Sequence, residues 1–255
     1  MLRDYERAKE SLRHVYWIGG GAAGGKTTVS RRLCEEFGFR RFAGDGRWIE
    51  HWQTATPETN PISCRIGSTV REGGSFEWFF GRTGQEIADD YVTMARVEFE
   101  DAIDELTGMP SDRPIVVDAF LGLPELVLKV AEPQRAVFLV STDDFMREAW
   151  KLRTTQGRPG FLPILTRQLD SCTDPRRALE SFIESNVIQN RFVAAECRKV
   201  GATLITTGGS ISLGEACAAV KRHFQLDRRE RVGLDPRPRL RPSDLCGRLP
   251  RDEDR

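Results

Sequence analysis

The sequence predicts an α/β fold in which helices cover both faces of a parallel β-sheet. Five short β-rich segments alternate with helical patterns along most of the chain, and parallel strands need long connections of this kind. Apolar runs such as Val15 to Ile18 and Ile115 to Val117 are typical of strands buried on both sides. The five segments are Val15 to Ile18, Phe39 to Ala43, Pro114 to Asp118, Ala136 to Ser141 and Ala202 to Thr207.

Apolar residues at helical spacing predict the helices between these segments. The most regular pattern runs from Gly84 to Leu106, and Gly108 and Pro110 end it. Another helix is predicted from Thr28 to Cys34, shortly after the first strand. Similar patterns predict helices at Glu125 to Val130, Asp144 to Lys151, Pro175 to Val200 and Leu213 to Phe224.

Two intervals are too long to be simple crossovers, and long irregular stretches in compact domains usually bind a ligand or move. Residues 46–113 combine the long helix with an irregular segment rich in glycine and aromatic residues. Residues 151–174 contain glycine, proline and several arginines, which predicts a mobile lid. We expect one domain over residues 1–226, with these two insertions, and a disordered or extended tail over residues 227–255.

The composition argues against several classes of function. The 255 residues include 38 Lys and Arg and 38 Asp and Glu, so the formal net charge of zero provides no field that attracts nucleic acid or an anionic membrane. The six cysteines and three histidines show no metal-ligand spacing, and we expect reduced thiols. Because the N-terminal residues are charged and no apolar run approaches the ~20 residues that cross a bilayer, we expect no signal peptide, no membrane anchor and a cytoplasmic location.

A glycine-rich motif follows the first predicted strand. Residues 20–27 read GGAAGGKT, which fits the pattern GxxxxGK[ST] of a phosphate-binding loop. Glycines let successive backbone N–H groups point at phosphate oxygens, the lysine adds positive charge, and the threonine hydroxyl can ligate the Mg²⁺ that accompanies a nucleotide. The alternative is a glycine-rich turn that binds nothing. The predicted nucleotide-binding residues are Gly20, Gly21, Ala22, Ala23, Gly24, Gly25, Lys26, Thr27 and Thr28.

Two aspartates follow predicted strands, at the edge where open parallel sheets bind ligands. Asp118 ends the third strand, where its carboxylate can bind Mg²⁺ together with Thr27 or reach an acceptor. The alternative for Asp118 is an ordinary carboxylate that caps the next turn. Asp45 follows the second strand and can orient or deprotonate an acceptor hydroxyl, although Asp followed by Gly is also a common turn.

Arginines in and near the predicted lid can offset the charge on a transferring phosphoryl group. Arg153 and Arg158 are predicted for this role because they lie in the first part of the lid. Arg147 is an alternative cation, which can stack on an adenine ring. The predicted catalytic set is therefore Lys26, Asp45, Asp118, Arg153 and Arg158.

Together these motifs resemble the P-loop kinases of the nucleoside-monophosphate kinase and shikimate kinase group. The resemblance covers about residues 14–225 and is carried by GGGAAGGKTT, the Asp after strand two, VVDAFLGLPE and the arginine-rich segment after FLVSTDDF. It implies a three-layer α/β/α fold, a five-stranded parallel sheet in the order 2-3-1-4-5, a lid between strands four and five, an acceptor-binding region between strands two and three, and ATP with Mg²⁺. Two departures are clear: the turn after Asp118 lacks the arginine of a DGFPR-type motif, and Ala43 replaces the first acid of the DxD of shikimate kinases.

The predicted function is ATP-dependent phosphoryl transfer to a hydroxyl or phosphate of a small metabolite or natural product. The missing arginine disfavours a nucleotide kinase. The alternatives are a regulatory nucleotide-binding NTPase and an antibiotic-modifying phosphotransferase. The predicted partner is a small-molecule acceptor, and neither nucleic acid nor a membrane is expected. Residues of the insertion that either bind an anionic or ring-bearing acceptor or build the core are Arg65, Arg71, Arg82, Trp48, Trp52 and Trp78.

Overall fold

A five-stranded, wholly parallel sheet lies at the centre of the protein and confirms the predicted fold class. The computed structural model describes residues 3–118, 122–156, 161–209 and 211–226. The strand order is β2-β3-β1-β4-β5, as the family resemblance implied. The strands are β1 (Val15–Gly19), β2 (Arg40–Ala43), β3 (Ile115–Asp118), β4 (Ala136–Ser141) and β5 (Leu204–Thr207).

Eleven α-helices surround the sheet in the described part of the chain. The bounds of the predicted helices agree with the structure to within a few residues, but α1, capped by the Asp4 side chain, was not predicted. None of the described helices has the length and apolar character needed to cross a bilayer. The helices are α1 (Tyr5–Ser11), α2 (Lys26–Phe37), α3 (Gly44–Thr54), α4 (Pro61–Glu72), α5 (Glu77–Phe80), α6 (Gly84–Gly108), α7 (Pro124–Val130), α8 (Asp143–Gln156), α9 (Phe161–Asp170), α10 (Pro175–Val200) and α11 (Leu213–His223).

Alternating side chains of the strands build two cores, one on each face of the sheet. Tyr16, Val116 and Leu139 belong to the core shared with α2 and α11. Trp17 and Val117, one position along, belong to the larger core shared with α6, α7 and α10. Because successive side chains of a strand point to opposite faces, the near-continuous apolar runs serve both cores. Both faces are therefore covered, as predicted.

The register of the central strands aligns their carboxyl ends. Ile18 of β1 pairs with Asp118 of β3, and Asp118 also pairs with Ala43 of β2. The chain leaves β1, β2 and β3 at the same edge of the sheet, so the residues that follow these strands converge. This edge carries the candidate site.

The prediction of an irregular segment within residues 46–113 is wrong, because helices α3, α4 and α5 precede α6 in this part of the chain. The Asn60 side chain accepts from the Ser63 N–H and begins α4, while Thr83 and Glu86 form a reciprocal capping box at the start of α6. Helix α5 has four residues, too few for helical periodicity to be recognised in the sequence. The aromatic residues buried between these helices include Trp48, Trp52, Phe76, Phe79 and Phe80.

The predicted lid, residues 151–174, is largely helical in its described part. Helix α8 continues past Lys151 to Gln156, and α9 follows from Phe161 to Asp170. Leu165 and Leu169 are buried on one face of α9 at helical spacing. Glycines and prolines in residues 157–163 obscured this pattern in the sequence. Residues 119–121, 157–160 and 210 and the predicted tail, residues 227–255, lie outside the described residues.

Candidate active site

The glycine-rich loop, residues 20–27, joins the end of β1 to the start of α2. Gly20 and Gly25 have φ angles of 113° and 88°, and Ala23 has a φ of 57°. Positive φ values are accessible to glycine without steric cost, so the chain can turn sharply here. Helix α2 begins at Lys26, and the N-terminal end of its dipole faces the loop. The loop therefore has the backbone arrangement that favours an anion.

The loop lies so close to its neighbours that Gly20, Gly21 and Gly24 each exclude a side chain. A Cβ on Gly20 would overlap the Leu139 carbonyl of β4, and one on Gly21 would overlap Oδ1 of Asn190 on α10. The Thr207 hydroxyl at the end of β5 donates to the Gly24 carbonyl over 3.3 Å. The sheet edge and α10 thus fix the loop from outside, which leaves its inner side as the ligand-facing side.

Lys26 is buried at the first position of α2, with 8% of its surface exposed. Its Nζ donates a hydrogen bond of 2.6 Å to the Gly21 carbonyl, across the loop. A buried ammonium group is costly unless it has partners, and an anionic oxygen is a stronger partner than a neutral carbonyl. The lysine is consequently placed to exchange a loop carbonyl for a phosphate oxygen.

Asp118 is the most buried carboxylate of the site, with 2% of its surface exposed. Its Oδ2 accepts hydrogen bonds from Arg41 Nη2 of β2 at 2.6 Å and from Ser30 Oγ of α2 at 3.2 Å. Arg41 Nε also donates to Ser30 Oγ over 3.0 Å. The three side chains form a closed triangle, so the direction of the carboxylate is fixed.

The other oxygen of this carboxylate is available. Oδ1 of Asp118 is buried and has no hydrogen-bond partner among the described residues. A buried carboxylate oxygen without a partner carries a large desolvation cost, which a cation or its bound water would relieve. Ser30 Oγ also lies 3.1 Å from the Thr27 carbonyl, so one hydroxyl lies beside both predicted metal-binding residues. The donor set fits Mg²⁺, which prefers oxygen ligands and bound water.

Three supporting residues were not predicted: Ser30, Arg41 and Asn190. Asn190 Nδ2 donates to Ser141 Oγ at 3.0 Å, at the end of β4, and its Oδ1 is buried and unpartnered in the described structure. Arg41 had a recognisable signal, since a strand residue that faces a helix-covered side of a parallel sheet is at least partly buried, and a cation there needs an anion. Nothing in the sequence pattern identifies Asn190, because it lies inside a long helix far along the chain.

The other predicted catalytic residues are placed as follows. Asp45 lies in the first turn of α3, directly after β2, and its side chain is outside the described part of the structure. Arg153 on α8 stacks over Trp150, with its guanidinium carbon 5.0 Å from the ring centroid. Arg147 forms an ion pair with Glu184 of α10. Arg158 lies outside the described residues, so the proposed roles of these side chains stay predictions.

A small cavity of about 50 Å³ opens beside the ends of β2 and β3. Gly44, Arg47 and His51 of α3 line one side, and Glu98 of α6 lines another. Arg47 forms an ion pair of 3.0 Å with Glu105. The cavity therefore brings charged side chains of the predicted acceptor insertion to the sheet edge.

His51 lies between two carboxylates of α6. Its Nδ1 contacts Glu98, and its Nε2 lies 2.9 Å from Glu105. The hydrogen bond to Glu98, assisted by Glu105 and opposed by burial, raises the pKa of His51 to about 9. Asp101 completes a group with His51 and Glu98 whose ligand atoms lie within 4.8 Å of one another. A protonated imidazole can donate to one oxygen of Glu98 and one of Glu105, so these two contacts do not require a metal ion.

Most of the aromatic residues and arginines of the insertion contact one another or neighbouring side chains within the protein. Trp48 contacts Trp52 and Tyr91 edge to face, with centroids 5.9 and 5.5 Å apart. Arg65 stacks on Trp78, its guanidinium carbon 4.0 Å from the ring centroid, and Arg82 forms an ion pair with Asp90. Arg71 instead borders a groove on the outer side of α3.

Comparisons with known proteins add little to this geometry. No protein-family model matches the sequence, and no match was found among curated proteins. Among solved structures, the chain is similar to one described as a "putative kinase" from Chloroflexus aurantiacus J-10-fl. The two share 16% identity, the match covers 83% of this chain and 98% of that one, and the TM-score is 0.36. A similarity at that level carries no functional conclusion, so function is inferred from the site itself.

Proposed function

We propose that this protein is a kinase that uses ATP and Mg²⁺ to phosphorylate a small molecule. One observation carries the proposal: the glycine-rich loop with buried Lys26 lies at the same sheet edge as Asp118, whose Oδ1 is buried and unpartnered. The loop supplies donors for phosphate oxygens, and the carboxylate supplies an acceptor for a divalent cation or its water. This pairing is what a nucleoside triphosphate with its metal requires.

Each residue of the loop region has a defined task in this proposal. Backbone N–H groups of residues 20–28 bind the phosphates, and Lys26 neutralises the oxygens of the transferred group. Thr27 and Asp118 would hold Mg²⁺, which supplies charge neutralisation across the phosphates when bound. Arg41 and Ser30 keep the Asp118 carboxylate in position, and Asn190 packs closely against Gly21 on the outer side of the loop.

The transfer needs an acceptor at the open side of the sheet edge. The acceptor oxygen forms a bond to the γ-phosphorus, the bond to the β,γ-bridging oxygen breaks, and ADP leaves. Asp45, at the start of α3, would orient the acceptor hydroxyl or take its proton. Arg153 and Arg158 of the lid would offset the charge that spreads over the phosphoryl group. The cavity beside Arg47 and His51 would admit part of the acceptor.

The test is to measure nucleotide binding and turnover with the purified full-length chain. Calorimetry with Mg·ATP should show saturable binding, and ADP should form only with particular members of a library of polar metabolites. Lys26→Ala should reduce turnover by at least about 100-fold while the thermal transition is retained. Lys199→Ala is the matched control, because Lys199 is exposed near the end of α10 and should leave both measurements unchanged.

Two results would refute the proposal. The first is the absence of any heat of association with Mg·ATP, and the second is turnover that survives in Lys26→Ala. Slow ATP hydrolysis that no acceptor changes would instead favour a regulatory nucleotide-binding NTPase.

A further inference from the structure

A second, larger groove lies on the outer side of α3. It has a volume of about 360 Å³ and is formed by α3, α4 and α9 with the segment between α4 and α5. A volume of this size is typical of pockets for small organic ligands. The residues that matter below are Trp52, Thr69, Arg71, Phe76, Arg167 and Gln168.

The charges that border the groove are all of one sign. Arg71 of α4 and Arg167 of α9 are exposed side chains on opposite helices of the groove. No Asp or Glu occurs among the described residues that line it. Arg71 Nη2 donates a hydrogen bond of 3.1 Å to Ser68 Oγ. Neither arginine forms an ion pair with a carboxylate of the described residues. The groove therefore favours a negatively charged occupant.

Two buried N–H donors of the groove lack acceptors. Gln168 is 6% exposed, and its Nε2 has no hydrogen-bond partner in the described structure. Trp52 is 7% exposed, and the same holds for its Nε1. Burying an amide or indole N–H without an acceptor is unfavourable. Both residues line the groove, so a ligand that brings acceptor oxygens against them would offset part of this cost.

The rest of the lining is apolar. Trp52 and Phe76 are buried, and Ile49, Val70 and Ile164 complete the apolar part of the wall. Aromatic and aliphatic walls with a few convergent polar groups are the usual composition of a small-molecule site. An occupant with an apolar body and an anionic end would match both parts of this surface.

We propose that this groove is a binding site for a small organic anion with an apolar or aromatic body. Its anionic oxygens would accept hydrogen bonds from Arg71, Arg167, Gln168 and Trp52, and its body would pack on Phe76. The proposal concerns binding alone and does not depend on phosphoryl transfer. Because the walls belong to the insertion and to the predicted lid, an occupant would join α9 to α3 and α4.

The test uses two fluorescent probes of similar shape and different charge. Full-length protein is titrated with 1-anilinonaphthalene-8-sulfonate, which is anionic, and with N-phenyl-1-naphthylamine, which is neutral. We expect saturable binding of one anionic probe per chain and much weaker binding of the neutral one. The double variant Arg71→Gln/Arg167→Gln should raise the Kd of the anionic probe by at least about tenfold, because two charge-assisted contacts are lost.

Two further variants separate binding from folding. Arg176→Gln is the matched control, since the side chain of Arg176 is 89% exposed on α10, outside the groove. The Kd of the anionic probe for this variant should stay within about twofold of the parent value. Gln168→Leu should raise the Kd of the anionic probe by at least about threefold, because a hydrogen-bond donor is lost. It should not lower the temperature of the thermal transition, because it removes a buried unpartnered donor. Non-saturable binding, an unchanged Kd in the double variant, or equal loss in Arg176→Gln would overturn the proposal.

Discussion

At the scale of single residues, Asp118 shows how one buried carboxylate is divided between structure and chemistry. Arg41 and Ser30 satisfy Oδ2, while Oδ1 has no partner among the described residues. A buried carboxylate is costly unless it is paired and hydrogen-bonded. Arg41 pairs with Oδ2, and the three hydrogen bonds among Arg41, Ser30 and Asp118 fix the orientation of the carboxylate and therefore the position of Oδ1. In the proposed function, this oxygen would face the metal ion or its bound water.

Substituting the two neighbouring arginines of β2 tests this interpretation. Arg41→Gln should lower the free energy of unfolding by about 1–3 kcal/mol, because it leaves the Asp118 carboxylate buried and without its cation. Arg40→Gln should cost clearly less than Arg41→Gln, since Arg40 pairs with the exposed Asp112. Urea denaturation of both variants measures the difference. Equal losses in the two variants would show that Asp118 does not depend on Arg41.

At the scale of elements, α3 separates two different environments. Arg47 and His51 line the small cavity at the sheet edge, and Ile49 and Trp52 line the outer groove. Helical periodicity places these two sets on different faces of the same eleven-residue helix. The helix is held to α6 by His51, between Glu98 and Glu105. A change in the charge of this histidine therefore acts on the contact between α3 and α6.

The titration of His51 is the element-scale prediction. NMR of the imidazole resonances should give a midpoint near 9 for His51, whose imidazole contacts Glu98 and Glu105 of α6 and has Asp101 of the same helix nearby. The pKa of histidine in the unfolded chain is near 6.5. Because the pKa of His51 is raised in the folded protein, its contacts with Glu98 and Glu105 stabilise the fold fully below pH 6.5, and this stabilisation is lost as the pH rises through about 9. Glu105→Gln should lower the midpoint.

His14 provides the internal control for that titration. Burial lowers the pKa of His14 below its usual value, so its resonance should titrate well below that of His51. His51→Gln assigns the signal. A midpoint for His51 at or below 6.5, or one that Glu105→Gln leaves unchanged, would contradict the assigned contacts.

At the scale of the whole molecule, the strand order places the glycine-rich loop at the centre of the sheet. Strand β1 lies between β3 and β4, so the loop that follows it is bordered by Asp118 on one side and by Leu139 on the other. Asn190 of helix α10 packs against the outer side of the loop, and the Thr207 hydroxyl of β5 donates to the Gly24 carbonyl. Elements from both halves of the chain therefore support one loop. A ligand in that loop would stabilise the whole domain, because none of these contacts exists in the unfolded chain.

The thermal transition should accordingly depend on nucleotide. With Mg·ATP at 100 times its Kd, linkage adds about 2.7 kcal/mol, which corresponds to a rise in Tm of roughly 5–10 °C for a chain of this length. Lys26→Ala should show a rise below about 2 °C under the same conditions. Differential scanning fluorimetry makes both measurements. An equal rise in the parent and in Lys26→Ala would place ATP outside the loop.

Much of the fold was predictable because it depends on local patterns. The apolar runs, the alternation of strands with helices and the long helices around α6 and α10 are signals within short stretches of sequence, and the structure confirms them. The short helices α3 to α5 and helix α9 were missed. Their positions depend on aromatic packing between helices, since a helix of a few residues gains its stability from tertiary contacts.

The sequence by itself determined the glycine-rich loop, its place after a buried strand, and the presence of Asp118 at a strand end, because each is a property of consecutive residues. Only the tertiary structure brought Ser30, Arg41 and Asn190 to that loop, from positions as far apart as α2 and α10. It alone formed the groove, whose walls come from α3, α4 and α9. The physical reason is that hydrogen bonds and ion pairs between distant residues depend on how elements pack, and no local pattern of residues encodes that packing.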